Sequence, residues 1–317
     1  MNSIGGYFEL EINDIGSLFH DKALALNSGR NCLEYILENS NYNHIYIPYF
    51  TCDVILEPII KLGITYTFYS INKSFLPLIE TIKNNEALLY TNYFGLMSSN
   101  IDLLSEKYKN IIVDNSQAFY DRRKNDIPTF YSPRKFFGVS DGGFVYHNKT
   151  NKKDYDVDIS LDRFNHLLKS VDISKEGSYV DFKKNDNDLV NQPIKKMSKL
   201  TQKILRGVDY NKNRLIRLQN FKILHHTLKE SNQLTYIIDL DLIECPMVYP
   251  YLPPKKIELR NELIKYKIYT AQYWPNVMEW VGKDSFEYIL TDNVVYLPID
   301  QRYSEKEMKY MLNCINK

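Results

Sequence analysis

The segment Ser132-Pro133-Arg134-Lys135 contains the residue of this sequence best suited to carbonyl chemistry, its lysine. Close to that lysine in the chain are four aromatic residues: Phe130, Tyr131, Phe136 and Phe137. Apolar surroundings lower the pKa of a lysine and leave a neutral amine that can attack an aldehyde. The segment therefore indicates a Schiff-base lysine. The alternative is a surface lysine whose stem packs on apolar neighbours.

An acidic segment, Asp114-Asn115-Ser116-Gln117, follows the short apolar run Ile111–Val113. A carboxylate at the end of a buried strand is costly to keep ionised unless a cation or several donors face it. A protonated pyridinium nitrogen would meet that demand at Asp114, and Gln117 would then bond a neighbouring ring substituent. The alternative is an aspartate that caps the following segment.

Two further features stand at the start of a helix pattern and at the end of a strand pattern. Ser28-Gly29-Arg30 precedes the helical run NCLEYIL, where exposed N–H groups, a hydroxyl and a guanidinium suit a phosphate; the alternative is an ordinary N-cap. Phe50 follows the predicted strand Ile45–Tyr49, where a ring can stack on a planar heterocycle. The alternative for Phe50 is a core aromatic.

The elements that position these residues alternate between strands and helices over residues 22–148. The predicted strands are Ile45–Tyr49, Thr65–Tyr69, Ala87–Phe94, Ile111–Val113 and Phe144–His147. Between them, Asp53–Leu62 and Ile101–Tyr108 have apolar residues at helical spacing. This pattern predicts an α/β fold with a mainly parallel, doubly wound sheet, in which ligands bind at the carboxyl ends of the strands.

The second half of the chain has a different pattern. Residues 151–195 read as loops and short helices and mark the predicted boundary between a large domain, 1–195, and a second part, 196–317. Met197–Leu228 predicts one or two long helices with a break near Gly207. A small α+β domain follows, with strand Pro246–Leu252, helix Pro254–Tyr266, strand Val294–Pro298 and helix Ser304–Ile315.

Composition limits the class of partner. The 317 residues carry a formal net charge of +1, which gives no electrostatic basis for binding nucleic acid or an anionic membrane. Four dispersed cysteines, and a start without a signal-peptide pattern, predict a reducing, cytoplasmic location. The pair His225-His226 has no ligands at metal spacing, so no metal is predicted.

Taken in chain order, these motifs resemble those of the sugar aminotransferases, fold-type-I enzymes that depend on pyridoxal 5′-phosphate (PLP). The family pattern has a Ser-Gly-Thr helix start, an aromatic after a Pro-containing strand, an Asp-x-x-Gln segment, and a Lys seven residues before a Gly-Gly pair. The matching residues here are Ser28-Gly29-Arg30, Phe50, Asp114 with Gln117, and Lys135 with Gly142-Gly143. The resemblance covers roughly residues 22–148 and is thinner beyond them.

The resemblance implies a role for each matching residue. Lys135 would form the Schiff base with PLP and shuttle the proton, and Asp114 would keep the pyridine nitrogen protonated. Phe50, or Tyr49 in its place, would stack on the ring, and Gln117 would lie near the ring oxygen. The phosphate would be held by four residues: Ser28, Gly29, Arg30 and Ser132.

The resemblance also implies a reaction and an assembly. The expected reaction transfers an amino group, from glutamate, to a keto sugar linked to a nucleotide, for surface-polysaccharide precursors. In this family a second subunit completes the active site, so a homodimer is expected.

The sequence departs from the family pattern at three places. Arg30 replaces the usual threonine, and Ile194 stands where the family has an asparagine. The family serine lies five residues before the lysine, where this chain has Phe130. The serine of this chain, Ser132, lies three residues before it. These departures leave two alternatives open. One is a PLP-binding protein acting on another small keto or amino substrate, and the other is a degenerate, non-catalytic binding protein.

Overall fold

A seven-stranded sheet is the centre of the first half of the chain, in a computed structural model that describes residues 5–149, 153–254 and 258–315. Its strands are β1 Leu24–Leu26, β2 His44–Pro48, β3 Thr65–Tyr69, β4 Glu86–Thr91, β5 Ile111–Asp114, β6 Thr129–Tyr131 and β7 Gly143–Tyr146. They are arranged in the order β1-β7-β6-β5-β4-β2-β3. Strands β2 to β6 are parallel, β7 is antiparallel to β6, and β1 is antiparallel to β7. Strand β1 therefore runs in the same direction as β2 to β6.

The helices of the described residues cover the sheet and build the second half. Their bounds are α1 Gly29–Glu38, α2 Leu56–Lys61, α3 Ser98–Lys107, α4 Asn165–Asp172, α5 Tyr179–Asp188, α6 Lys199–Arg206, α7 Tyr210–Leu228, α8 Leu259–Lys265, α9 Val277–Trp280, α10 Phe286–Asp292 and α11 Glu305–Ile315. A second sheet pairs β8 Val248–Tyr251 with β9 Val295–Pro298 in antiparallel register. Serine hydroxyls cap the starts of α1 and α6, and an aspartate caps α7.

Alternate residues of the central strands pack on opposite faces of the sheet. Leu89 and Ile112 contact the apolar side of α1 and α2, whereas Leu88 and Val113 contact a larger cluster that includes α3. This larger cluster also takes in residues of α9, α10 and β9, such as Tyr296. The period of two follows from strand geometry, and it explains why both sheet faces are apolar.

The structure confirms the predicted α/β architecture. Strand β3 has the predicted bounds, and the other predicted strands are present within a few residues. The predicted strand Ala87–Phe94 stops at Thr91 because the chain turns there, with Phe94 and Gly95 in the left-handed region. The short strands β1 and β6 were not predicted. Of the predicted helix Pro254–Tyr266, residues 255–257 lie outside the described residues, and α8 forms within the rest.

None of the helices in the described ranges combines the length and apolarity that a membrane span requires.

Candidate active site

The carboxyl ends of the parallel strands bring the predicted residues to one edge of the sheet. Phe50 follows β2, Asp114 ends β5, and Ser132 and Lys135 follow β6. Strand β1 runs in the same direction, so Ser28 and Gly29 reach this edge too. Sequence-distant residues are thus gathered where open α/β sheets bind ligands.

The start of α1 lies against two serines. A Cβ built on Gly29 would be 3.8 Å from Ser116 Oγ and 3.8 Å from Ser132 Cβ. These serines come from the β5 and β6 ends, so three elements converge on the helix start. The first N–H groups of a helix have no intrahelical acceptor, and hydroxyls beside them make an anion-binding cradle.

The capping role of Ser28 is also realised. Its Oγ accepts a hydrogen bond from Asn31 N at 3.1 Å and donates one to Asn31 Oδ1 at 2.5 Å. The carbonyl of Ser28 accepts from Cys32 N at 3.0 Å. The N–H groups of Gly29 and Arg30, which precede these, are therefore the donors left at the helix start.

The glycine pair explains how this cradle is assembled. Gly142 has a φ of +117°, a backbone conformation that favours glycine. A Cβ on Gly143 would lie 2.6 Å from Cys32 Sγ and from the Ser28 carbonyl. Only glycine at 143 lets β7 approach α1 this closely, and Gly142 N donates to the Asn27 carbonyl at 2.8 Å. The pair thus fixes the α1 start beside the lysine loop.

Asp114 is buried at the end of β5. Its Oδ1 accepts from Ser116 N at 2.8 Å, as the capping alternative predicts. Within the described part of the chain, no hydrogen bond or ion pair engages Oδ2. One oxygen therefore orients the carboxylate, and the other is available to a ligand.

Gln117 supplies a test of whether a ligand with acceptor atoms fits this edge. The side chain is fully buried, and its Oε1 accepts from Phe94 N at 2.8 Å. Its Nε2 is buried and has no hydrogen-bond partner among the described residues. An orphaned buried donor is costly, so this amide fits a group that brings an acceptor to the site. The residues present are thus compatible with a phosphorylated, acceptor-rich heterocycle.

Lys135 ends a single 3₁₀ turn, Pro133–Lys135, and its side chain is exposed. This differs from the apolar setting expected from its neighbours. Phe136 and Phe137 instead turn inward, with ring centroids 5.8 Å and 4.9 Å from that of Phe119. In the described residues no side chain bonds the lysine ammonium. The amine is therefore free to react.

The positive charge of Lys135 acts on Cys52, a residue that the sequence analysis did not select. Burial raises the pKa of the Cys52 thiol, and the hydrogen bond from the Val54 backbone and the charge of Lys135 both oppose that rise. The loop after β2 is thus close enough to Lys135 for electrostatic interaction.

Phe50 is fully buried beneath residues of the second half of the chain. Its ring centroid is 5.0 Å from that of Trp274 and 5.3 Å from that of Tyr93. Next to it, Asn276 Nδ2 donates to the Thr51 carbonyl at 2.9 Å. The loop 274–276 thus closes over the end of β2, and the stacking role of Phe50 stays a prediction. Tyr49 stacks on Phe68, with ring centroids 4.9 Å apart.

The side chain of Arg30 already has two partners. Its guanidinium forms an ion pair with Glu57, Nη1 to Oε2 at 3.0 Å, and donates to the Leu189 carbonyl at 3.2 Å. A phosphate contact by this side chain therefore stays a prediction.

Ser116 is the site residue that the sequence analysis missed. It lies two positions after Asp114, in a segment already selected for its strand-end position, and that position was the available signal. The side chain is 6% exposed, and its Oγ faces Gly29.

Comparisons with known proteins agree with this architecture. No family model and no curated protein sequence matches the chain. Among solved structures, a DegT DnrJ EryC1 StrS aminotransferase from Brucella abortus matches 93% of this chain and 85% of its own, with 15% identity and a TM-score of 0.61. PseC from Helicobacter pylori, an aminotransferase involved in the biosynthesis of pseudoaminic acid, matches 93% and 85%, with 13% identity and a TM-score of 0.62.

A third match adds a cofactor. NtdA from Bacillus subtilis, solved with bound cofactor PMP, matches 93% of this chain and 73% of its own, with 15% identity and a TM-score of 0.63. The chain therefore has the fold-type-I architecture of the PLP-dependent transferases. Its fold is similar to that of aminotransferases.

Proposed function

We propose that this protein is a PLP-dependent aminotransferase of the sugar aminotransferase type. The observation that carries the proposal is the meeting of Gly29, Ser116 and Ser132 at the start of α1, next to the turn that carries Lys135, whose amine has no partner among the described residues. A phosphate cradle beside a free amine is the arrangement that a phosphorylated aldehyde requires. The fold similarity to aminotransferases, and to a protein solved with bound PMP, supports the same conclusion.

The proposed binding residues would each contact a different part of the cofactor. The N–H groups at the α1 start and the hydroxyls of Ser116 and Ser132 would hold the phosphate, with Ser28 ordering the helix end. The free oxygen of Asp114 would hold a proton on the ring nitrogen, and Gln117 Nε2 would donate to a ring oxygen. When bound, PLP supplies an aldehyde and a ring that withdraws electrons from the substrate carbon.

Lys135 would perform the proton chemistry. Its amine would hold the cofactor aldehyde by condensing with it, with release of water, when no substrate is bound. Once free, the same amine would take up the proton at the substrate carbon and give it back. Its exposed side chain, without a competing partner in the described residues, suits this change of role.

We further propose the substrates and the setting. Glutamate would be the amino donor, and a nucleotide-linked keto sugar, destined for surface polysaccharide, the acceptor. PseC, an aminotransferase of similar fold involved in the biosynthesis of pseudoaminic acid, supports a sugar-related substrate. The four cysteines are free thiols, which supports a reducing cytoplasmic location. We keep the division into a cofactor-binding part, 1–195, and a second part, 196–317.

A homodimer is part of the proposal. Helices α4 and α5 expose five large side chains to solvent: Leu168, Val171, Tyr179, Val180 and Phe182. Apolar surface on this scale is typical of an interface between chains. Sedimentation of the purified protein at micromolar concentration should give the mass of a dimer, and a monomer under saturating PLP would contradict this part.

The test of the proposed function is the visible absorbance spectrum of the protein with added PLP. We expect a visible band in the wild type and in Lys109→Ala, which removes another exposed lysine, and none in Lys135→Ala. Glutamate should bleach the band, and Asp114→Asn should retain the band but bleach far more slowly. A wild-type protein without the band contradicts the proposal. A band that no amine alters would favour a non-catalytic binding protein.

A further inference from the structure

The loop that carries Lys135 has little internal structure of its own. Between Ser132 and Ser140 its backbone forms one 3₁₀ turn, with hydrogen bonds from Phe136 N and Phe137 N to the Pro133 carbonyl at 2.9 Å. A single turn does not hold a side chain rigidly. The position of Lys135 must therefore depend on what packs against the loop.

The inner side of the loop is fixed by the second half of the chain. The Phe136 carbonyl accepts from Gln301 Nε2 at 2.7 Å, and Gln301 Oε1 in turn accepts from Arg217 Nε at 2.8 Å. The buried guanidinium of Arg217 also lies over the Phe136 ring, 4.6 Å from its centroid. These contacts hold the residue directly after Lys135.

The outer side of the loop is held by two consecutive residues of α5. Asp186 Oδ1 pairs with Arg134 Nη2 at 2.6 Å, and Asn185 Nδ2 donates to the Ser140 carbonyl at 3.0 Å. One contact precedes Lys135 by one residue, and the other follows it by five. Helix α5 thus contacts the loop on both sides of the lysine.

The contact between Arg134 and Asp186 is the more consequential of the two. The Arg134 side chain is 19% exposed, and its Nε is buried with no acceptor among the described residues. Asp186 therefore supplies the one hydrogen-bond acceptor that the structure gives this guanidinium within the described residues. Removing that carboxylate leaves a largely buried cation unpaired, and the least costly response is for Arg134 to swing out and move the turn with it.

We propose that Asp186, assisted by Asn185, is a positioning residue that sets where the Lys135 amine stands, in a role that rests on the proposed function of Lys135. Asp186 acts through Arg134, the neighbour of the lysine, so its loss should slow the capture of an aldehyde more than it weakens ligand binding.

The test compares Asp186→Asn with a matched control on the same helix. Asp181, also on α5, pairs with Lys169 of α4 through Nζ and Oδ2 at 2.8 Å, away from the lysine loop. Asp181→Asn therefore removes one α5 carboxylate without touching Arg134. Two quantities are measured for each protein: the rate at which the Lys135 amine condenses with the PLP aldehyde, expelling water, and the affinity for PMP, which has no aldehyde.

We expect Asp186→Asn to capture PLP roughly tenfold more slowly, because small misplacements of a reacting group cost this much or more. Affinity for PMP should be unchanged, Asp181→Asn should match the wild type in both quantities, and Asp186→Glu should recover part of the rate. An unchanged capture rate in Asp186→Asn overturns the inference. An equal loss of capture rate in Asp186→Asn and Asp181→Asn also overturns it, because that result would indicate general weakening of α5.

Amide hydrogen exchange of the peptide 130–142 tests, without any cofactor, whether α5 holds the loop in place. We expect roughly tenfold faster exchange in Asp186→Asn and wild-type exchange in Asp181→Asn. If the wild type fails to capture PLP while exchange responds in this way, the proposed function fails and the role of α5 in fixing the loop stands. If exchange does not respond, the role of α5 fails.

Discussion

Replacing Gly29 with alanine separates the two roles of the α1 start, capping and phosphate binding. The new Cβ would lie 3.8 Å from Ser116 Oγ and from Ser132 Cβ, which is ordinary van der Waals distance. The protein without ligand therefore accommodates the methyl group. A phosphate, in contrast, would have to share the space between the helix start and the two serines with it.

The substitution should affect stability and PLP binding in opposite directions. Alanine is a better helix former than glycine, so the free energy of unfolding should rise by a few tenths to about 1 kcal/mol. A phosphate oxygen must come within about 2.9 Å of an N–H group, and the methyl group prevents this approach. Losing one charge-assisted hydrogen bond of ~1.5–3 kcal/mol weakens PLP binding roughly 10- to 100-fold.

Urea unfolding gives the stability, and quenching of intrinsic fluorescence gives the PLP dissociation constant. Gly138→Ala is the control, because its Cβ would also lie 3.8 Å from its nearest neighbour, Leu167 Cδ2, on the exposed face of the lysine loop. We expect the control to bind PLP like the wild type. If Gly29→Ala is more stable and binds PLP as tightly as the wild type, the helix start is only a cap and the cradle is refuted.

Three other predictions concern packing, pH and stacking. Gly143→Ala would place a Cβ 2.6 Å from Cys32 Sγ and should lower the free energy of unfolding by about 3 kcal/mol in urea titrations; a loss under 1 kcal/mol would contradict the close approach of β7 to α1. Burial lowers the pKa of His20 from 6.5 to about 3, so the unfolded chain binds an extra proton between these values. The contribution of neutral His20 to the free energy of unfolding is fully present above pH 6.5 and is lost as the pH falls, by up to ~1.4 kcal/mol per pH unit. In His20→Gln the free energy of unfolding should depend less on pH, which unfolding curves at two pH values between 3 and 6.5 would show. Phe50→Leu should weaken PLP binding roughly threefold to tenfold. Phe75, like Phe50, packs on the rings of Tyr93 and Phe94, and Phe75→Leu should leave PLP binding unchanged. Equal affinities of the two variants for PLP would remove Phe50 from the ligand site.

The strands that could be predicted are those whose residue types stand out from the turns on either side. Thr65–Tyr69 and Ile111–Asp114 are β-branched or aromatic runs bounded by polar turns, and both were located closely. Strands β1 and β6 have three residues each, too few to show alternation. Their places in the sheet come from pairing with β7, which is tertiary information.

The candidate site was predictable where the side chain acts close to its own strand end. Asp114, Gln117 and Ser132 are at the expected edge for this reason. Arg30 was not, because its partner Glu57 comes from another helix and nothing near Arg30 in the sequence marks that ion pair. The setting of Lys135 was also misjudged, since successive residues of a 3₁₀ turn point about 120° apart, so adjacent aromatic residues need not surround it.

At two positions the ordinary and the functional interpretations turn out to use different atoms. Ser28 caps α1 with its hydroxyl and carbonyl, and the N–H groups of the following two residues stay available. Asp114 holds Ser116 N with one oxygen and offers the other. In each case the local hydrogen bond fixes the direction of the group that would meet the ligand. A sequence pattern typical of a cap is therefore no argument against a site, because the capping hydrogen bonds hold the N–H groups at the α1 start and the second oxygen of Asp114 in place.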